Sequence, residues 1–289
     1  MEKPKKIFVT GGTGNQGGAV AKSLLSQGFS VKVLTRDPSS AAAQKLKSLG
    51  ASIIHGDLNK PDSFSKHVDD VDGIFSVQNF KEGSDKEVKQ GTVLADLAEH
   101  YAVNHFVYTS YSGADTKTGV PHWDSKHQLE TYIKDLHIPY TILRPASLME
   151  NFLLPQVKNR ILKGKLVSPI NKEIRQQYIS SYDVGQVTTT IFSEPEQYRG
   201  RTIPLAANEM DNEQVAELFS GVLGKKIRYQ KLPGLITRFV MGKDLYAMFK
   251  WINTNGGIMI KDVDDAQKEF GPFLSFSDWI RKTFVATEN

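Results

Sequence analysis

An apolar run that leads directly into a glycine cluster is the most constraining feature of this sequence. Residues 7–9 read Ile-Phe-Val, and Thr10 separates them from a G-x-G-x-x-G motif at Gly12, Gly14 and Gly17, which widens to G-x-x-G-x-x-G when it is counted from Gly11. Glycine permits a positive φ, lets the backbone approach a pyrophosphate, and allows a helix to pack closely on a strand. The free N–H groups at the start of the following helix then face the phosphates. The motif predicts a dinucleotide-binding turn, and a purely structural glycine turn is the alternative.

Strands and helices alternate regularly through the first half of the chain. Strands are predicted at residues 7–10, 30–35, 51–54, 73–77, 105–109 and 140–143. Helices are predicted at residues 19–25, 41–49, 61–68, 86–101 and 122–136. Such alternation, with strongly apolar strands, predicts an α/β fold: a Rossmann-type doubly wound parallel sheet with helices on both faces. A cofactor should lie across the carboxyl ends of its strands.

Beyond Pro145 the alternation loses its regularity. Helices are predicted at residues 151–162, 183–192, 212–223, 235–253 and 277–284, and strands at 174–179, 202–205 and 227–232. We expect a Rossmann domain over residues 1–150 and a smaller α+β lobe over 151–289, with residues of about 181–206 returning to the first domain. Apolar side chains at helical spacing either line a substrate cleft or belong to the core: Met241, Tyr246, Met248, Phe249 and Trp251.

Composition excludes several classes of function. The net charge of +4 over 289 residues does not by itself indicate a polyanionic partner. We interpret the basic stretch of Lys225, Lys226, Arg228 and Lys231 as the wet face of a strand, so no direct nucleic-acid binding is expected. The chain has no membrane-spanning run and no signal sequence at its start, so we expect a cytoplasmic protein.

Metal and thiol chemistry are not expected. The sequence has no cysteine, which excludes disulfides, thiolate nucleophiles and thiol redox switches. Its 7 histidines show no ligand spacing with nearby carboxylates, so we predict no metal site.

The end of the second predicted strand determines the choice of cofactor. It carries Arg36 and Asp37, at the position where an acidic residue would bind the adenosine ribose of NAD. A guanidinium matches a 2′-phosphate bidentately, so Arg36 favours NADP(H). Because Asp37 could bind the adenosine ribose of NAD, NAD is the alternative cofactor. Both residues could instead belong to a solvated turn.

The next strand ends border the rest of the cofactor. After the third strand, Asp57 and Leu58 are placed to bracket the adenine, although Gly-Asp is also a common turn. The fourth strand runs into Asn79 and Phe80, and the fifth is followed by Ser110. We expect all of these ends to face the cofactor.

The helix after the fifth strand carries the candidate catalytic residues. A serine after that strand and a Tyr-x-x-x-Lys pair on the helix form a known arrangement for proton transfer beside a nicotinamide. Here the lysine is Lys126, and the tyrosine position holds His122. The spacing of four places both on one helical face. Lys126 is predicted to bind the cofactor ribose, whereas His122 is either a proton donor or a helix-start residue without chemistry.

Together these segments resemble the NmrA-like family, an atypical branch of the short-chain dehydrogenases/reductases, and most closely its NADPH-sensor subgroup. The matching segments are residues 9–18, 34–36, 56–58, 87–91, 122–126, 150–155 and 276–279. The resemblance covers residues 6 to about 281. It implies an NADP-binding Rossmann domain and a smaller lobe, with the ligand site in the cleft between them.

The resemblance also assigns contacts to individual residues. It places Gly11, Thr13, Gly14, Asn15 and Gln16 at the pyrophosphate, Arg36 at the 2′-phosphate, Asp57 and Leu58 at the adenine, Asn79 and Phe80 beside the ribose and nicotinamide, Lys126 on the nicotinamide ribose, and Asn151 across the cleft.

Two functional groups exist in the family that the chain resembles. Some members reduce quinones, phenylpropanoids or related carbonyl compounds, and others bind NADP and report redox state to transcription factors or metabolic enzymes. His-x-x-x-Lys in place of Tyr-x-x-x-Lys resembles the second group. We therefore expect an NADP(H)-binding redox sensor or regulator with a protein partner. The alternative is an NADPH-dependent oxidoreductase that acts on a small quinone or carbonyl compound.

Overall fold

The computed structural model describes residues 5–79 and 82–285 of the chain. Its strands are β1 (Lys6–Val9), β2 (Ser30–Thr35), β3 (Ser52–His55), β4 (Gly73–Ser76), β5 (His105–Thr109), β6 (Tyr140–Pro145), β7 (Ser147–Leu148), β8 (Lys165–Ser168), β9 (Gln176–Ile179), β10 (Arg201–Leu205), β11 (Asn208–Met210) and β12 (Arg228–Lys231). Its α-helices are α1 (Asn15–Ser26), α2 (Ala41–Ser48), α3 (Ser84–His100), α4 (Pro121–Asp135), α5 (Pro155–Leu162), α6 (Ser181–Ser193), α7 (Pro195–Tyr198), α8 (Asn212–Leu223), α9 (Gly234–Asn255), α10 (Asp264–Phe270) and α11 (Phe276–Trp279). Short 3₁₀ turns occupy Pro61–Ser63, Ser65–His67 and Met149–Leu153, and Ile280–Val285 is π-helical.

The central sheet has seven strands in the order β10-β6-β5-β4-β1-β2-β3. Neighbouring strands from β1 to β6 pair in parallel. From β1 the chain moves outward to β2 and β3 and then returns to β4 on the other side of β1. This reversal leaves a crevice at the carboxyl ends of the strands, where open α/β sheets bind their ligands. The predicted α/β, Rossmann-type doubly wound fold is confirmed.

Both faces of this sheet are covered by helices. On one face, α3 and α4 bury a cluster that includes Phe8, Phe106 and Leu129. On the other face α1 packs against α6, and a Cβ on Gly185 would lie 2.9 Å from the carbonyl oxygen of Ala19. The strongly apolar strands of the sequence therefore form a sheet that is buried on both sides.

The described residues form two compact units. The first comprises residues up to 117, 122–145 and 181–203, and the second comprises 118–121, 146–180 and the residues from 204 onward. The second unit contains a three-stranded sheet, β11-β9-β7, and a two-stranded sheet, β12-β8. Its core combines aliphatic side chains with aromatic ones such as Phe219, Phe276 and Trp279.

Three of the predicted helices differ in the structure. Residues 61–68 form two 3₁₀ turns instead of one helix, because only Phe64 and Val68 in this stretch supply buried apolar side chains. The helix predicted from residue 151 begins at Pro155, since proline favours an extended residue before it. Helix α9 is interrupted at Gly242, where φ is 84°.

Two features are absent from residues 5–79 and 82–285: a membrane-spanning helix and a cluster of metal-ligating side chains. In these ranges, each helix is too short or too polar to cross a lipid bilayer. The same ranges contain no group of three or more His, Asp or Glu side chains arranged to hold a metal ion.

Candidate functional site

The glycine turn between β1 and α1 forms an open backbone cradle. Gly11 adopts a φ of 60°, which the turn requires and which glycine tolerates best. The N–H of Gly14 donates to the carbonyl of Gly11 over 2.8 Å and closes the turn. A Cβ on Gly17 would lie 2.5 Å from the Gly11 carbonyl, so this glycine allows α1 to approach the strand.

The start of α1 fits an anionic group. Its first turn consists of Asn15, Gln16 and Gly17, and within the described chain Gly14 supplies the N-cap without a side-chain hydrogen bond. Gly11, Thr13, Gly14 and Asn15 are exposed. The helix N–H groups and the positive end of its dipole are therefore accessible to a phosphate.

Hydrogen bonds join this cradle to the neighbouring strand ends. Thr10 Oγ1 donates to the carbonyl of Val77 and accepts from its N–H, both over 2.9 Å. Thr109 Oγ1, at the end of β5, donates to Gln16 Oε1 over 2.8 Å. The side-chain oxygen of Gln16 therefore already has a donor within the described part of the chain.

Arg36 lies at the end of β2 and has an acidic partner. Its side chain is 62% exposed, and Nη1 is 2.7 Å from Oε1 of Glu82. The second carboxylate oxygen of Glu82 accepts from Nδ2 of Asn59 over 3.3 Å, and Gln90 Nε2 donates to Asn59 Oδ1 over 3.1 Å. Sequence reasoning missed Glu82, because nothing in its local pattern relates it to β2.

Asp37 is engaged in its own turn. Its Oδ1 accepts from the backbone N–H of Ser39 over 2.9 Å and from the Ser39 hydroxyl over 2.5 Å. These hydrogen bonds lower the pKa of the Asp37 carboxyl below its usual range. The carboxylate is therefore engaged in the turn that precedes α2, which leaves Arg36 as the better candidate for contact with a cofactor.

Asp57 and Leu58 follow β3 as expected. Asp57 Oδ1 accepts from the backbone N–H of Asn59 over 2.9 Å and from its side-chain amide over 3.1 Å, which is an Asx turn. Leu58 is half-buried against the core of the first unit. These two residues form the turn and could also contact an adenine, so both interpretations stay open.

Three predicted cofactor contacts remain: Asn79, Phe80 and Asn151. Asn79 is exposed after β4, and its carbonyl accepts from the N–H of Glu82 over 3.3 Å. Phe80 lies outside the described residues. Asn151 belongs to the second unit, on the 3₁₀ turn Met149–Leu153, where its Nδ2 is 3.4 Å from Ser147 Oγ.

Lys126 is fixed by a buried carboxylate. Its Nζ is 2.8 Å from Oε1 of Glu87, which is fully buried on α3. The other oxygen, Oε2, accepts from the hydroxyl of Ser125 over 2.7 Å. The ammonium also lies 6.0 Å from the ring centroid of Tyr108. Lys126 is therefore held as a charged, oriented donor.

His122 and Tyr111 both contact an aromatic side chain. The buried His122 ring meets the ring of Trp123 edge-on at 5.8 Å, and the Tyr111 ring stacks on the same indole at 4.7 Å. Burial raises the pKa of Tyr111 to about 12, which makes its hydroxyl a weak acid at neutral pH. The Tyr111 hydroxyl, which follows β5, is thus poorly suited to donate a proton.

Buried polar atoms at the ends of β4 and β5 lack partners. Within the described residues, Gln78 Oε1, Tyr108 Oη and Ser110 Oγ have no hydrogen bond. Such atoms are costly unless another group satisfies them. Burial, followed by the charge of Glu87, raises the pKa of Tyr108 well above its usual range. Together with the open glycine cradle, these atoms are consistent with a dinucleotide that lies across the carboxyl ends of the strands.

Comparison with known proteins extends this result. A sequence profile of the NmrA-like family matches residues 3–273. The NmrA-like family domain-containing oxidoreductase malD of Malbranchea aurantiaca is 29% identical, with 98% of each chain covered.

Two solved structures share the fold. The Citrobacter sp. triphenylmethane reductase, complexed with NADP(H), superimposes with a TM-score of 0.80 at 23% identity, covering 96% of this chain and 99% of that one. NmrA, a negative transcriptional regulator in complex with NADP, gives a TM-score of 0.80 at 18% identity, covering 99% and 97%. Because the family profile spans most of the sequence, the chain belongs to the NmrA-like family.

Proposed function

We propose that the protein binds NADP(H) through its first unit. The exposed glycine turn would hold the pyrophosphate, Arg36 the 2′-phosphate, and Lys126 the nicotinamide ribose. The partnerless polar atoms of Gln78 and Ser110 would face the nicotinamide end. NADP(H) in the triphenylmethane reductase and NADP in NmrA support this choice, since both proteins share the fold.

The function that the site supports best is a cytoplasmic redox sensor or regulator with little turnover, acting through a protein partner. The ion pair between Lys126 and the buried Glu87 carries this proposal. The carboxylate fixes the position of the Lys126 ammonium, so the lysine is suited to orient a ribose. The tyrosine that would supply the proton is replaced by His122, which is buried against Trp123. NmrA, a regulator, offers a precedent in the same fold.

An NADPH-dependent reductase of a small quinone or carbonyl compound is the second candidate. The hydroxyl of Ser110 favours it: it has no hydrogen bond among the residues that the structure describes, and a buried donor after β5 could polarise a substrate carbonyl. His122 would then be the proton donor. The oxidoreductase malD and the triphenylmethane reductase are consistent with this alternative.

Calorimetric titration with NADP⁺ and NADPH, followed by steady-state NADPH oxidation over a panel of quinones and aldehydes, separates the two functions. We expect cofactor binding with turnover at the background rate. Turnover that disappears in His122→Ala at unchanged cofactor affinity would instead establish the reductase. His127→Ala is the matched control, since His127 is exposed on the same helix.

A further inference from the structure

A basic concavity lies on the two-stranded sheet of the second unit. Its volume is about 490 Å³, and it is lined by Lys163, Gly164, Lys165, Lys226, Arg228, Tyr229 and Gln230. Four of these seven residues are cationic, and the lining among the described residues includes no carboxylate. This volume lies within the range of small-molecule sites. Such sites are usually lined by apolar side chains, whereas the lining here is strongly basic.

The strand register places two of these charges side by side. Strands β8 and β12 pair in parallel, with Lys165 directly opposite Arg228. Like charges at paired positions of a sheet repel each other and destabilise the pairing. Both side chains are exposed, so solvent screens this repulsion and leaves the two charges accessible to an anion.

Neighbouring basic residues do have polar partners. Lys225 Nζ donates to the carbonyl of Leu162 at the C-terminus of α5 over 2.6 Å. Lys231 Nζ donates to Oδ1 of Asn171. Both contacts satisfy groups of the fold itself, so these two lysines have structural roles.

The four cationic residues of the concavity differ from Lys225 and Lys231 in their polar contacts. Across residues 5–79 and 82–285, the side chains of Lys163, Lys165, Lys226 and Arg228 make no ion pair and no hydrogen bond. The hydroxyl of Tyr229 donates to the carbonyl of Ile170 over 2.6 Å, so its ring serves as a fixed wall. The charges converge on the concavity without an internal counterion.

We propose that this concavity binds a small ligand with two or more linked phosphate groups. Several phosphates in a row match several cations, and the guanidinium of Arg228 can hold one of them bidentately. A bound polyanion would also remove the repulsion between Lys165 and Arg228. The site uses only residues of the second unit and shares none with the glycine cradle, so it does not depend on the proposed NADP(H) binding.

Calorimetry with tripolyphosphate tests the proposal. The wild type is titrated in saturating NADP⁺, and the variant Gly14→Val is titrated without it, so that the glycine cradle does not contribute to the signal. We expect saturable binding in both, weakened at least tenfold by the double substitution Lys165→Ala/Arg228→Ala. The double substitution Lys268→Ala/Lys282→Ala removes two exposed charges elsewhere and should change the affinity by less than twofold.

Thermal melting supplies a second readout. The Lys165→Ala/Arg228→Ala variant should unfold at the same temperature as the wild type or higher, because it has lost a like-charge pair. Tripolyphosphate should raise the melting temperature of the wild type and leave that of the variant unchanged. Absence of binding to the wild type, equal affinity of the variant, or tighter binding of a hexaglutamate peptide would overturn the proposal.

Discussion

Arg36 and Glu82 form an ion pair 2.7 Å long at the end of β2, on residues that are 46 positions apart in the sequence. Glu82 thus places a carboxylate at the guanidinium that we assign to the 2′-phosphate. An incoming phosphate must displace this carboxylate or share the guanidinium with it. Because Arg36 is 62% exposed, the ion pair contributes only about 0–1 kcal/mol, and a dianionic phosphate can replace it.

Arg36→Ala should weaken NADP(H) binding by about one to two orders of magnitude, since it removes a charge-assisted bidentate contact of roughly 1.5–3 kcal/mol. NAD(H) binding should stay the same. Glu82→Gln should strengthen NADP(H) binding several-fold, because it removes the competing negative charge. Calorimetric titration of each variant with both cofactors measures these effects.

Arg281→Ala is the matched control for Arg36→Ala. Its side chain is 61% exposed and its guanidinium is paired with Asp278 over 3.0 Å, so the substitution removes a comparable ion pair elsewhere. Equal wild-type affinities for NADP(H) and NAD(H) would rule out Arg36 as the 2′-phosphate ligand.

Gly14→Val should abolish cofactor binding while the fold survives. A Cβ on Gly14 would approach only the Gly11 carbonyl, at 3.2 Å, so the added side chain points into the open cradle and would occupy the space of the pyrophosphate. Circular dichroism and calorimetry measure the two parts of the prediction. Gly221→Val, where a Cβ meets nothing within 4 Å, is the control. Wild-type affinity in Gly14→Val would place the pyrophosphate elsewhere.

Lys126→Ala should weaken cofactor binding and also lower the free energy of unfolding by about 3–5 kcal/mol, because it leaves the buried Glu87 carboxylate without its counterion. Adding Glu87→Gln removes that stranded charge. The double variant should therefore regain most of its stability without regaining its affinity. Urea unfolding and calorimetry on both variants separate the structural role of the lysine from its role in binding.

Lys134→Ala is the control on the same helix. Its Nζ is 3.7 Å from Glu130, which also pairs with Arg144 over 2.5 Å and so keeps a counterion. Recovery of both stability and affinity in the double variant would show that Lys126 does not contact the cofactor.

Protonation of His105 should lower the free energy of unfolding in mild acid. The ring is buried on β5 with Nε2 2.8 Å from Thr141 Oγ1, and burial, assisted by the positive charges of Arg199 and Lys5, lowers its pKa from 6.5 to about 4. The unfolded state therefore binds the proton more readily than the folded state. The stabilising contribution is complete above pH 6.5 and is lost as the pH falls toward 4, to an extent of roughly 3 kcal/mol.

Urea unfolding at several pH values measures this effect. His105→Gln keeps a donor for Thr141 and should flatten the dependence of stability on pH between 6.5 and 4. His127→Gln, at an exposed position, should leave it unchanged. An unaltered pH profile in His105→Gln would show that this histidine is not the responsible group.

The sequence by itself determined the strand–turn–helix at Gly11–Gly17, the regular alternation of the first unit and the family. These features depend on local rules: glycine at a turn of positive φ, apolar runs in parallel strands, and caps at helix ends. The position of Arg36 after β2 follows from the same rules, and the structure places it there. The NADP(H) preference drawn from it stays a prediction.

Only the tertiary structure decided the partners of the candidate residues. Glu87 lies 39 positions before Lys126 and Thr109 lies 93 positions after Gln16, so no pattern of neighbouring residues relates them. The parallel order β5-β4-β1-β2 brings these segments together at the carboxyl ends of the strands. Residue type sets what a side chain can donate or accept, but the order of the strands and the burial it creates decide which partner it meets.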